Sequence, residues 1–382
     1  MNVLILGLET LNNMGEKFII ECTKYILKDA KYDYEVCDFE PQMTLYKKLI
    51  YFFLIAVSKT INNIEYSAKI EYLAVIFRCR KKYIQHIKKS DKIVVAAGSI
   101  KYSTQHLWAY YCLAINIAEK FNKDVMFDAA NIQKYCDADW RCRYLARHLK
   151  SKNVKVITTR SGRAGLERIE NEYKLPLHQV HGAVGDIAYW LPDLYDIRSV
   201  PKTEIVGINL ISGNTYIRYG GSISQEKLLD VYTELLLMLE TAGIKWELFT
   251  NGLPADFEFG KRLIKKVSMN SQIYVPSTAR QLAEKIKSYN LIFGARLHAC
   301  ICAYVFDVPV VGMVWDEKMS EFAAVAGISD LFLSEENITA ENIFCHIKDL
   351  YQNGYSYDVE KRNDYKYKTR KYIIDYLKNT EN

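Results

Sequence analysis

At 382 residues the chain is long for one core, so two domains are expected. A hydrophobic share of 49% and a charged share of 25% exclude a disordered or fibrous chain, and a net charge of +6 is mild enough that its placement matters more than its size. The nine cysteines are scattered without a Cys-x-x-Cys pair, which points to reduced thiols in the cytoplasm and argues against a zinc site. Val3–Leu6 reads as a strand with no basic n-region or cleavage site before it, so no signal peptide is expected.

In chain order, strands are predicted at Val3–Leu6, Tyr34–Cys37, Ile93–Ala97, Val125–Phe127 and Val154–Ile157, with helices between them at Lys17–Leu27, His106–Lys120 and Ala164–Glu172. Such alternation implies a parallel sheet covered on both faces. The stretch Leu191–Pro201 has two prolines and no periodicity and reads as a linker. Alternation then restarts, with strands at Ile205–Leu210, Trp246–Phe249, Ile273–Val275, Leu291–Phe293 and Val308–Val314. Helices fall at Gln225–Thr241, Phe257–Val267, Ala279–Lys287, Ala299–Phe306 and Ala340–Tyr351. The expected fold is α/β, with two Rossmann-like doubly wound domains (1–195 and 203–355) facing a cleft. A basic, aromatic C-terminal helix within 356–382 would cross back onto the first domain.

The segment 45–92 stands out. Leu49–Val57 is wholly apolar but too short to span a bilayer, which takes about 20 residues. It is flanked by Lys47, Lys48 and Lys59, and a cluster from Arg78 to Lys92 follows. A core-packed helix followed by a solvated basic helix is one reading, and a surface that meets anionic lipid is another. Nucleic acid is not expected, because no recognised module accompanies the charge.

The candidate chemistry gathers where strands end. Leu291–Phe293 stops at Gly294, and Arg296 and His298 follow at the start of a helix. That is where open α/β sheets bind ligands, and a helix N-terminus beside a guanidinium suits an anion. Imidazole is the side chain best suited to move protons near neutral pH, so His298 is the candidate acid or base. Lys318 follows the next strand end at Trp315-Asp316 and could reach the same anion. Earlier in the chain, Asn13-Met14-Gly15-Glu16 forms a turn and helix start, and Ala96-Ala97-Gly98-Ser99 ends a strand with small residues. Thr159-Arg160-Ser161 ends another strand, and Asp186 follows. Neither Gly-x-Gly-x-x-Gly nor a Walker loop is present, which disfavours nicotinamide enzymes and nucleoside triphosphatases.

Taken together, these residues resemble the polysaccharide pyruvyltransferase family. The match is strongest in Phe293-Gly294-Ala295-Arg296-Leu297-His298, in Val308–Gly312, and in Trp315-Asp316-Glu317-Lys318. Asn13-x-Gly15-Glu16 resembles the family's Asn-x-Gly-Asp turn, with Glu in place of Asp, and Ser161 replaces the acid after Arg160. The resemblance implies a GT-B-like pair of domains with phosphoenolpyruvate as co-substrate and no metal or other cofactor. The acceptor would be a sugar of a cell-surface glycan or its lipid-linked precursor, which gains a cyclic ketal on two hydroxyls. It places His298 and Arg296 in catalysis and Arg160, Arg296 and Lys318 on the donor. Asn13, Gly15, Glu16, Gly98, Ser99 and Asp186 fall on the acceptor. The expected location is the cytoplasm, at the inner face of the membrane if segment 45–92 touches lipid. Two other classes remain open: a GT-B nucleotide-sugar glycosyltransferase, although its Glu-x7-Glu element is not evident, and a non-catalytic partner in envelope glycan assembly.

Overall fold

The computed structural model describes residues 1–10, 12–96, 98–102, 106–218, 221–267 and 272–379. Leu11 and Ala97, which the sequence reading placed in a turn and at a strand end, lie outside them. The chain forms two compact units. The first holds Met1–Thr10, Ile19–Ile187 and Tyr365–Asn382; the second holds Leu11–Phe18 and Ala188–Asp364.

The first unit is built from β1 (Asn2–Gly7), α1 (Met14–Asp29) from Ile19 onward, β2 (Asp33–Asp38), α2 (Leu45–Thr60), α3 (Ile64–Lys89) and β3 (Lys92–Ala96). It continues with β4 (Ser99–Ile100), α4 (Leu107–Lys120), β5 (Asp124–Ile132), α5 (Trp140–Leu149), β6 (Val154–Thr159), α6 (Gly162–Glu167) and β7 (Val180–Ala183). The strands lie in the order β2-β1-β3-β5-β6-β7, with β4 added to β5, and every pairing is parallel. The central strands are buried along nearly their whole length, as a sheet covered on both faces requires. β5 runs on to Ile132, well past the predicted Phe127. It does so through a register shift between Phe127 and Ala130, where Ala129 takes the left-handed conformation at φ 46°.

The second unit contains α7 (Leu191–Tyr195), β8 (Val206–Asn209), α8 (Gly213–Arg218), α9 (Gln225–Thr241), β9 (Trp246–Phe249), α10 (Pro254–Val267) and β10 (Ile273–Tyr274). After these come α11 (Ala279–Ser288), β11 (Leu291–Gly294), α12 (Leu297–Val305), β12 (Val310–Met313), α13 (Glu317–Ala326), β13 (Phe332–Leu333), α14 (Ala340–Asn353) and the start of α15 (Val359–Lys378). The sheet order is β10-β9-β8-β11-β12-β13, again all parallel. The order therefore reverses between β8 and β11, the switch point at which such sheets take ligands beyond their carboxyl ends.

Several boundaries differ from the sequence reading. The stretch read as a linker holds α7, whose Leu191 and Tyr195 are buried, because its apolar side chains pack even though its prolines break the period. The division between units falls after Ile187, and the C-terminal segment is shared between them, with α15 passing into the first unit at Tyr365. There Thr369 Oγ1 donates to Gly185 O at 2.9 Å, and Tyr376 Oη donates to Ile93 O at 3.0 Å.

Candidate active site

In the second unit the polar residues collect beyond the carboxyl ends of β8, β9, β11 and β12. Asn209 closes β8 and is fully buried, with its Nδ2 on Asn251 Oδ1 at 3.1 Å. Its Oδ1 accepts the backbone N–H of Arg296 at 2.9 Å, which fixes the turn that follows β11. Arg296 is the N-cap of α12, and its guanidinium forms a fork on Asp256, with Nε 2.9 Å from Oδ2 and Nη2 on Oδ1. Asp256 has 0% exposure and also accepts the N–H of Ser212 at 2.9 Å. A buried bidentate pair of this kind holds a guanidinium plane rigidly. The Nη1 group of Arg296 makes no hydrogen bond among the described residues.

His298 lies in the first turn of α12 and is buried. Its ring rests against Gly15, where an added Cβ would stand 2.3 Å from Nδ1 and 2.8 Å from the His298 Cβ. Only glycine leaves room for the imidazole there. The turn that carries Gly15 is tied down by Met14 N donating to Asn251 O at 3.0 Å and Gly15 N donating to Asn13 Oδ1 at 3.1 Å. Gly252 adopts φ 91°, and a Cβ on it would lie 2.7 Å from Asn12 O. The N-terminal turn thus belongs to the same unit as His298 and shares one surface with it. Trp315, after β12, donates Nε1 to Ala295 O at 2.6 Å and presents its ring to two cations. Lys318 Nζ is 4.6 Å from the ring centre and Arg296 Cζ is 5.9 Å away. Lys318 also pairs with Asp316 at 3.2 Å.

The first unit holds a separate polar cluster. Arg160 follows β6 and pairs through Nη1 with Asp186, and both are buried. A Cβ on Gly98 would stand 3.2 Å from Arg160 Nη2, so the glycine lets the guanidinium close against the backbone. Asp128, on the irregular part of β5, accepts from Thr158 Oγ1 at 3.2 Å, while its buried Oδ2 has no partner among the described residues. Burial pushes its carboxyl up to about 7, opposed by the Thr158 hydrogen bond and reinforced by the charge of Asp186. Ala129, in its left-handed conformation, donates its N–H to the same Thr158 hydroxyl at 2.7 Å.

The residues singled out from sequence fall into two groups. Asn13, Gly15, Glu16, Arg296, His298 and Lys318 belong to the second unit; Gly98, Ser99, Arg160 and Asp186 belong to the first. Each cation assigned to the donor has an aspartate partner: Asp256 for Arg296, Asp316 for Lys318 and Asp186 for Arg160. The arrangement therefore offers directed donors more than net positive charge. Sequence reasoning missed Asp256, Asn209 and Asp128. Asp256 sits 40 residues from the arginine that it orients, with no local motif to announce it. Asp128 had one local signal, an acid set between apolar residues of a strand. Among the described residues no group of three or more His, Cys, Asp or Glu is placed to hold a metal ion.

A family model described as polysaccharide pyruvyl transferase matches residues 13–317. No curated protein matches the chain. Among solved structures, the UDP-GlcNAc 2-epimerase of Methanocaldococcus jannaschii, in complex with UDP-GlcNAc and UDP, is similar at 13% identity and a TM-score of 0.60, covering 99% of both chains. The Neisseria meningitidis UDP-GlcNAc 2-epimerase bound to UDP-GlcNAc gives 12% identity and a TM-score of 0.59, again with 99% of both chains covered. At such identities the likeness establishes a shared GT-B-like fold.

Proposed function

The chain belongs to the polysaccharide pyruvyl transferase family, and from that premise we propose that it moves pyruvate from phosphoenolpyruvate onto two hydroxyls of a glycan sugar, forming a ketal. The observation that carries this reading is the buried imidazole of His298, held at a helix start between the Arg296–Asp256 fork and the glycine turn at Gly15. Phosphoenolpyruvate presents a carboxylate and an enol esterified to phosphate. The reaction adds a proton to the methylene carbon, and a sugar hydroxyl oxygen bonds to C2. The C2–O bond to phosphate breaks, and a second hydroxyl oxygen closes the ring. One hydroxyl proton balances the new methyl group and the other leaves with phosphate. His298 is the proton carrier, a role that contributes about 10²–10⁴-fold.

Arg296 acts in this scheme through Nη1 and through the amide donors of the α12 N-terminus. Asp256 makes the guanidinium a fixed fork and cancels much of its charge, so donor affinity depends on geometry and only weakly on salt. Lys318, stacked on Trp315, supplies the second cation. Arg160 is assigned to the donor as well, and Asn13, Gly15, Glu16, Gly98, Ser99 and Asp186 to the sugar. The donor is a metabolite of the cell interior, which places the reaction in the cytoplasm. The acceptor is a cell-surface glycan or its lipid-linked precursor.

The test is calorimetry and phosphate release with phosphoenolpyruvate, run beside UDP-sugars. Binding of phosphoenolpyruvate that is lost in Arg296→Ala supports the assignment. Binding of a UDP-sugar with none of phosphoenolpyruvate overturns it in favour of a nucleotide-sugar enzyme.

A further inference from the structure

The helical hairpin of the first unit carries a surface that its own core does not use. α2 is anchored on one side, where Tyr51 and Ile55 pack with Ala74 of α3 and with Met43 and Leu54. The Arg78 guanidinium lies 5.0 Å from the Tyr51 ring centre. On the opposite side Leu45, Tyr46, Leu49, Phe52, Phe53 and Ala56 are exposed, with Phe52 at 62% and Phe53 at 66%. At 3.6 residues per turn these six positions fall within an arc of about 120°. Exposed Lys48 and Lys59 line one border of that arc, and α2 contains no acidic residue. α3 extends the pattern: exposed Leu73 and Phe77 are followed on the same stripe by exposed Arg80, Lys81 and Lys88.

A contiguous apolar and aromatic stripe edged on one side by cations fits one kind of partner. We propose that the exposed face of α2 docks flat on an anionic lipid bilayer, with Phe52 and Phe53 entering the headgroup boundary and Lys48 and Lys59 meeting lipid phosphates. α2 has 16 residues, about 24 Å of helix, which suits a helix lying in the interface. No helix among the described residues is long and apolar enough to cross a membrane. A second copy of the chain fits less well, because a two-fold pairing through this stripe would set lysine borders against each other. Anionic headgroups complement those lysines, each cation near such a surface adding favourable attraction.

The experiment is flotation of the full chain with vesicles of phosphatidylcholine alone and of phosphatidylcholine mixed with phosphatidylglycerol. No substrate is present, so lipid binding is read apart from pyruvyl transfer. The wild type floats with the anionic vesicles and releases as salt is raised. Phe52→Ser with Phe53→Ser, and separately Lys48→Glu with Lys59→Glu, each weaken flotation at least about tenfold. Both pairs are on the surface, so circular dichroism and melting temperature stay at wild-type values. Equal partition onto neutral and anionic vesicles, or flotation unchanged in both variants, overturns the assignment. So does a lipid-free dimer in sedimentation that the phenylalanine variant dissolves, since the stripe would then belong to a second copy.

Discussion

The contact between Gly15 and His298 offers a direct test of whether the N-terminal turn and the imidazole work as one device. In Gly15→Ala the new methyl carbon would stand 2.3 Å from Nδ1 and 2.7 Å from Cγ of the ring. An ordinary contact needs about 3.5 Å, so the ring or the turn must yield by about 1 Å. The turn is pinned by Met14 N on Asn251 O, and the ring sits near the base of a buried side chain, so neither gives way freely. Overpacking of this kind costs about 1–3 kcal/mol, and a 1 Å misplacement of a reacting group costs about 10²-fold in rate. In a His298→Gly background both the ring and the Cβ that would stand 2.8 Å from the new methyl are gone, and the stability cost of Gly15→Ala falls by at least about 1 kcal/mol. Denaturant unfolding of the four proteins measures that coupling, and phosphate release measures turnover. Equal stability changes in both backgrounds together with undiminished turnover would refute the reasoning.

Other expectations follow from the same geometry. His298→Ala keeps the fold and lowers turnover at least about a hundredfold, checked by phosphate release beside a thermal melt. Asp256→Asn keeps its shape but loosens the guanidinium fork, so the KM for phosphoenolpyruvate rises more than kcat falls; a change in kcat alone would contradict the positioning role. Asp128 makes stability depend on pH. Its carboxyl is raised to about 7 in the folded chain, against about 3.9 unfolded, so the folded state holds the proton more tightly. Its contribution is complete below about pH 4 and is lost as pH rises toward about 7. Asp128→Asn removes that slope and gains about 2–3 kcal/mol relative to wild type between pH 5 and 7, read from unfolding curves at each pH.

The alternation of strands and helices was written in the sequence, because apolar periodicity is local and parallel strands buried on both faces leave continuous apolar runs. Val3–Leu6 and Leu291–Phe293 are examples, and each lies within its observed strand. The Gly294–His298 corner was legible for the same reason: strand end, turn and helix start follow one another along the chain. β4 and β13, of two residues each, and β7, whose Val-His-Gly-Ala lacks an apolar run, were not predicted. α7 was missed because the two prolines of the Leu191–Pro201 stretch, one of them inside the helix, mask a segment that nevertheless packs. What the tertiary structure alone decided is which groups meet. The pairing of Arg296 with Asp256, the seat of the His298 ring on Gly15 and the isolation of Asp128 beside Asp186 join segments that no local period relates. Charge and hydrogen bonding act through space, so a sequence can name a cation, but only the folded chain shows the aspartate that neutralises it.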